Sequence, residues 1–152
     1  METRFLIFSL FIFSLLGCNS EQKVVEETNP DGSPKRVCIY KGEGASRELI
    51  KETTYYPNGK PQMEGTYATG QRNGTWTYWH ENGNLWSTGF FNNGKAEGKR
   101  TTYFSNGKVQ YEGNYKEDMR VGIWRFFDEQ GRLLKEVDYS AAPKEIIPPR
   151  PG

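Results

Sequence analysis

Few side chains in this 152-residue sequence could carry covalent or acid–base chemistry. Histidine occurs once, at His80, and cysteine twice, at Cys18 and Cys38. An enzyme needs a nucleophile beside a base, a metal cluster or paired carboxylates. His80 has no second histidine to share a metal with, and its place just before a turn suits a hairpin side chain. Glu64, Glu112 and Glu136 recur at one repeat position and could line up as a cation-binding ladder, but Thr88 interrupts it. Lysines and arginines elsewhere on the strands balance these glutamates, so a charged strand surface is the plainer reading. No glycine-rich run follows a phosphate-loop pattern. The residues therefore predict a non-enzymatic protein with no cofactor and no metal. Aromatic side chains are the remaining chemical resource. Tyr55, Trp79, Trp86 and Tyr103, with Phe90 and Phe127 near them, form a row flanked by Thr, Asn and Glu. Such rings could stack on sugars or grip a peptide, or they could stiffen a sheet by cross-strand packing. Trp79 with Trp86 is the pair no other unit repeats.

The N-terminus has a different chemistry. Phe5 to Leu16 is apolar apart from Ser9 and Ser14, follows Arg4, and ends in Leu15-Leu16-Gly17-Cys18. The length suits the apolar core of a signal peptide and is too short to span a bilayer as a helix. The four-residue ending resembles a bacterial lipobox, where cleavage precedes a cysteine that becomes lipid-modified. The resemblance implies residues 1–17 as signal peptide and a membrane anchor through lipidated Cys18. Several acyl chains on one cysteine would make that attachment stable. Asn19 in place of Asp implies the outer membrane by the enteric sorting rule. Cys38, in Arg36-Val37-Cys38-Ile39-Tyr40, then reads as a small buried hydrophobe. Without the lipobox, Cys18–Cys38 is a candidate disulfide in an exported chain. Residues 18–30 are polar and acidic in patches and predict a flexible tether reaching at most ~40 Å.

These residues need elements to hold them, and the sequence supplies a repeat. Gly59, Gly83, Gly107 and Gly131 recur every 24 residues, three of them preceded by Asn. Asn-Gly between aromatic or β-branched runs marks a hairpin, here expected as a two-residue type I′ turn. Tyr67, Phe91, Tyr115 and Tyr139 keep the same period, as do Tyr55, Trp79, Tyr103 and Phe127. Four turn signals at one period predict an all-β, elongated antiparallel meander of hairpins over residues 31–139. Nine strands are expected, at 36–40, 48–56, 61–67, 75–80, 85–91, 99–104, 109–115, 123–128 and 133–139.

Two-residue turns would set Trp76 opposite Gly89, Arg125 opposite Glu136 and Trp79 opposite Trp86. Alternation then puts Trp76, Tyr78, Leu85, Phe91, Val109, Tyr111, Tyr115, Trp124, Phe126 and Leu133 on a first, apolar face. Tyr55, Glu64, Thr77, Trp79, Trp86, Tyr103, Glu112, Arg125 and Phe127 fall on a second. Residues 140–152 carry four prolines and favour polyproline II. Either Ile146 and Ile147 pin this tail to the last hairpin or it is disordered. Aromatics make up 14% of the chain and supply burial that the sparse aliphatics do not. A formal net charge of +1 gives no electrostatic case for nucleic acid.

The run Gly65-Thr66-Tyr67-Ala68-Thr69-Gly70-Gln71-Arg72-Asn73-Gly74-Thr75-Trp76-Thr77-Tyr78 resembles the bacterial variant of the MORN repeat. Gly113 to Phe126 matches it with Asp118 at the middle glycine, and Gly89 to Gly98 matches with Arg100 in the tryptophan's place. The resemblance covers about residues 50–139 and implies a hairpin array for membrane association or protein contact. The expectation is a membrane-anchored, non-enzymatic scaffold of the cell envelope with a protein or envelope-polymer partner. The alternatives are a glycan- or peptidoglycan-binding module using the aromatic row, and an antitoxin-like partner protein. The last fits an exported chain poorly.

Overall fold

The computed structural model describes residues 20–140. Cys18, the apolar run before it and the tail from 141 onward lie outside the described residues. The backbone forms β1 (Glu21–Thr28), β2 (Pro34–Lys41), β3 (Glu48–Tyr55), β4 (Pro61–Ala68), β5 (Gln71–Arg72), β6 (Gly74–Trp79), β7 (Leu85–Asn92), β8 (Lys95–Tyr103), β9 (Val109–Lys116), β10 (Met119–Phe127) and β11 (Leu133–Asp138). They make one open antiparallel sheet in chain order, with short β5 folded back on β4. All nine expected strands are present. Two more are added, β1 and β5.

β1 corrects the expected tether. Its polar sequence holds Val24 and Val25, which pair with Cys38 and Val37 of β2. An edge strand needs only a few apolar contacts, and charged neighbours such as Glu21, Lys23 and Glu26 blunt its open side.

The turns are also not as expected. Gly83 N–H donates to the His80 carbonyl at 2.8 Å, and His80 N–H donates to the Asn84 carbonyl at 2.8 Å. Gly59, Gly83, Gly107 and Gly131 have positive φ, but Asn58, Asn82 and Asn106 do not. A type I′ turn needs positive φ at both central residues. These are three-residue loops with a glycine bulge. The asparagine carboxamide decides the geometry: Asn82 Oδ1 accepts from Asn84 N–H at 2.9 Å, and Asn58 and Asn106 do the same for Lys60 and Lys108. The positive-φ pairs lie at the other end of the sheet, in Thr69-Gly70, Asn93-Gly94 and Glu117-Asp118.

A second irregularity follows each turn. Tyr78 pairs with Ser87 and Trp79 with Leu85, leaving Trp86 as an extra residue. Gln62, Gln110 and Leu134 are the corresponding extras in the other hairpins. The extra residue restores the register, so Trp76 does face Gly89 and Arg125 does face Glu136. Near the turns it reverses the alternation. Leu85, Val109 and Leu133 pair with Trp79, Tyr103 and Phe127 on the second face, and Trp86 leaves that face.

The core sits on the first face. Trp76, Phe91, Ala96, Tyr115 and Trp124 are buried, with Met63, Tyr67, Tyr78, Tyr111, Phe126 and Tyr139 packed around them. One sheet buries this much by laying each tryptophan flat on backbone. A Cβ on Gly65 would lie 2.1 Å from the Trp76 ring, and one on Gly113 would lie 2.2 Å from Trp124. Each indole covers the glycine on the strand before it. Trp76 faces Gly89 across the strands but does not cover it: Arg100 approaches Gly89 instead, with Nε 3.4 Å from a Cβ placed there.

Candidate functional site

The first face is built from two equivalent sites. Trp76 donates its indole N–H to the Thr66 carbonyl at 3.1 Å, and Trp124 donates to Asn114 at 3.2 Å. Tyr67 meets Trp76 edge-on at 5.3 Å between ring centroids, and Tyr115 meets Trp124 at 4.9 Å. The Arg72 guanidinium lies 4.2 Å from the Trp76 ring, and Arg120 lies 4.8 Å from Trp124. Such cation–π contacts contribute about 0.5–2 kcal/mol. The middle hairpin exchanges these parts: Ala96 stands where Arg72 and Arg120 would be, and Arg100 stands in the tryptophan's place. Sequence reading noted Arg100 but missed the coupled change at Ala96, which was present at the same 24-residue spacing.

The expected ligand row does not assemble as one surface. Trp86 packs edge-on against Tyr78, with ring centroids 6.0 Å apart, and is 6.0 Å from the His80 ring. Those contacts tie it to the Tyr78 side, so the Trp79–Trp86 pair is not formed. The physical reason is the extra residue after the turn. Tyr55, Trp79, Tyr103 and Phe127 remain at equivalent positions on the second face, half-buried, and pair with Pro61, Leu85, Val109 and Leu133. Phe90 is 46% exposed on that face, between Thr75 and Glu97. The result is an aromatic–aliphatic ridge beside the turns.

The backbone under this ridge is clamped. Tyr56 Oη donates to the Trp79 carbonyl at 2.8 Å. His80 Nε2 is 2.9 Å from the Tyr103 carbonyl. A carbonyl only accepts, so Nε2 carries the proton. Asn58, Asn82 and Asn106 each donate to the next turn, at the carbonyls of Glu81, Ser105 and Glu129. His80 and the turn asparagines thus join one hairpin to the next.

The glutamates are paired. Lys51 meets Glu64 at 3.0 Å, Lys99 meets Glu112 at 2.8 Å and Arg125 meets Glu136 at 2.6 Å. Among the described residues no group of three or more His, Cys, Asp or Glu is placed to hold a metal ion. Buried Glu52 accepts from Arg36 Nε and Tyr67 Oη, each at 2.7 Å. Burial, together with that carboxylate, pushes the Tyr67 hydroxyl up to about 12. Cys38 is fully buried, and burial raises its thiol above the usual value.

Four segments match the profile described as MORN repeat variant: residues 50–68, 72–93, 96–117 and 120–141. Together they take in more than half of the chain. The chain belongs to the MORN repeat variant family. Each matched segment is one hairpin: β3–β4, β6–β7, β8–β9 or β10–β11. The MORN array is thus a repeat scaffold, the kind of surface that suits protein or membrane contacts. No curated protein matches the chain. The hairpin β1–β2 precedes the first MORN match. Where it meets β3 lies a pocket of about 280 Å³, lined by Lys23, Val25, Ser33, Pro34, Val37, Tyr55 and the turn at Gly59. Tyr55 is the one residue of the expected row that lines it.

Proposed function

We propose that this MORN-variant protein is a lipid-anchored, non-enzymatic scaffold of the cell envelope, held at the outer membrane through Cys18. Its second face meets a protein or envelope polymer. The observation that carries the reading is the order of segments: an apolar run, Leu15-Leu16-Gly17-Cys18, and then a hairpin array starting at Glu21. Two residues separate Cys18 from β1, so the anchor keeps the β1 edge within about 10 Å of the bilayer. The ridge of Tyr55, Trp79, Tyr103 and Phe127 is the contact surface of this scaffold. A flat protein partner is favoured over a stacked sugar, because Trp86 packs on Tyr78 instead of completing a ring pair with Trp79.

The anchor is tested by metabolic labelling with a palmitate analogue, followed by membrane fractionation. Wild type is expected in the membrane pellet with label. Cys18→Ala is expected to lose the label and either to leave the pellet or to keep its signal segment. Labelled, membrane-bound Cys18→Ala protein would overturn the anchor.

A further inference from the structure

The β1–β2 hairpin lies outside the MORN matches, and the pocket exists only because it abuts the array. Two register shifts in the β1–β2 ladder, after Val25 and after Glu27, bend this hairpin at the pocket. Val37, 6% exposed, lies at the base, and Pro34, Tyr55 and Val25 add apolar surface. Val25 is 47% exposed, an open apolar side chain at the rim. Lys23 is the charged residue of the lining, and Ser33 lines it with a hydroxyl that donates to Asp31 at 2.6 Å. The cations near Lys23 have partners: Lys35 meets Glu27 at 3.0 Å, Arg36 meets Glu52 at 2.7 Å and Lys51 meets Glu64 at 3.0 Å. Among the described residues Lys23 has neither an ion pair nor a hydrogen-bonded side-chain partner.

The pocket is therefore a largely apolar recess with an unpaired lysine and one hydroxyl, Ser33, already engaged by Asp31. That combination suits a ligand with an apolar group beside an anion. At about 280 Å³ it falls just below the range of about 300–1,000 Å³ that engulfs a whole drug-sized molecule, so it fits an end group. β1 is the edge of the described sheet, and its outer N–H and C=O groups are open to main-chain pairing with an extended chain. We infer that the recess between Lys23, Val25, Val37 and Tyr55 binds the C-terminal residue of a peptide, an apolar side chain against the valines and its carboxylate on Lys23. The inference holds whether or not Cys18 is lipidated, because every residue it uses lies at or beyond Lys23.

The test is a methyl and amide NMR titration of the full chain in detergent micelles. The probe is N-acetyl-Ala-Ala-Ala-Leu with a free carboxylate; its C-terminal amide and 4-methylpentanoate are the comparisons. Saturable shifts at Val25, Val37 and Tyr55 are expected with the free-acid peptide. Amidation, or Lys23→Gln, is expected to weaken binding by about tenfold, in keeping with loss of one charge-assisted contact. Lys23 is exposed on an edge strand, and an unchanged spectrum elsewhere shows that the variant is folded. Lack of saturation, or equal affinity for acid and amide or for wild type and Lys23→Gln, would overturn the site. Equal affinity for 4-methylpentanoate and the peptide would overturn the peptide assignment.

Discussion

Gly65 and Gly89 occupy the same repeat position and lie either side of Trp76, yet the structure makes them unequal. A methyl group on Gly65 would meet the Trp76 ring at 2.1 Å, where both ring and backbone are fixed. A methyl group on Gly89 would meet the flexible Arg100 side chain at 3.4 Å. Gly65→Ala is expected to destabilise by about 3 kcal/mol, the upper part of the overpacking range, and Gly89→Ala by less than about 1 kcal/mol. Urea unfolding followed by tryptophan emission reads both; equal losses would reject the ring-on-glycine packing. The pairing of Trp76 with Gly89 could be read from sequence. The direction of lean could not, because glycines flank the tryptophan on both sides. The Thr66 carbonyl, which receives the indole N–H, and Arg100, which takes the Gly89 side, decide it.

At the scale of the element, the hairpin turn shows how a local signal can be right in kind and wrong in detail. Asn-Gly does mark three of the four MORN hairpins, but the asparagine side chain caps its own loop and bonds the next turn. Asn82→Ala removes the acceptor for Asn84 N–H and the donor to the Ser105 carbonyl. The Asn84 side chain still reaches that carbonyl at 2.7 Å, which limits the loss. About 1 kcal/mol is expected for Asn82→Ala, against less than about 0.5 kcal/mol for Glu81→Ala, in the same unfolding assay. A cost no greater at Asn82 than at Glu81 would remove the turn ladder from the account of stability. The face of Trp86 was illegible for the same reason as the turn type. A period of two sorts side chains correctly only until an extra residue is inserted, and nothing in Leu85-Trp86-Ser87 announces one. β1 was missed because its hydrophobic signal is two adjacent valines, which satisfy opposite faces of a two-sided edge strand but show no alternation.

For the whole molecule, the 24-residue period was legible from the glycines alone, because each hairpin must present the same surfaces to the next. Every long strand pairs with its neighbours along the chain, so stability is expected to be close to a sum of hairpin and interface terms. The packing rule makes this testable. Deleting residues 90–113, one full period, joins Gly89 to Asn114 and brings Trp124 over Gly89, as it lies over Gly113 in the native chain. Tyr115 takes the place of Phe91 against Trp76. This shortened chain is expected to stay folded, with buried tryptophan emission and a long dimension reduced by about 10 Å in small-angle scattering, the width of two strands. Deleting residues 90–112 instead leaves one residue too many. The strand then delivers Tyr115 to the opposite face, and red-shifted emission with an early urea transition is expected. If both deletions behaved alike, hairpin stacking would not depend on the 24-residue register, and the tryptophan-on-glycine contact could not be what fixes it.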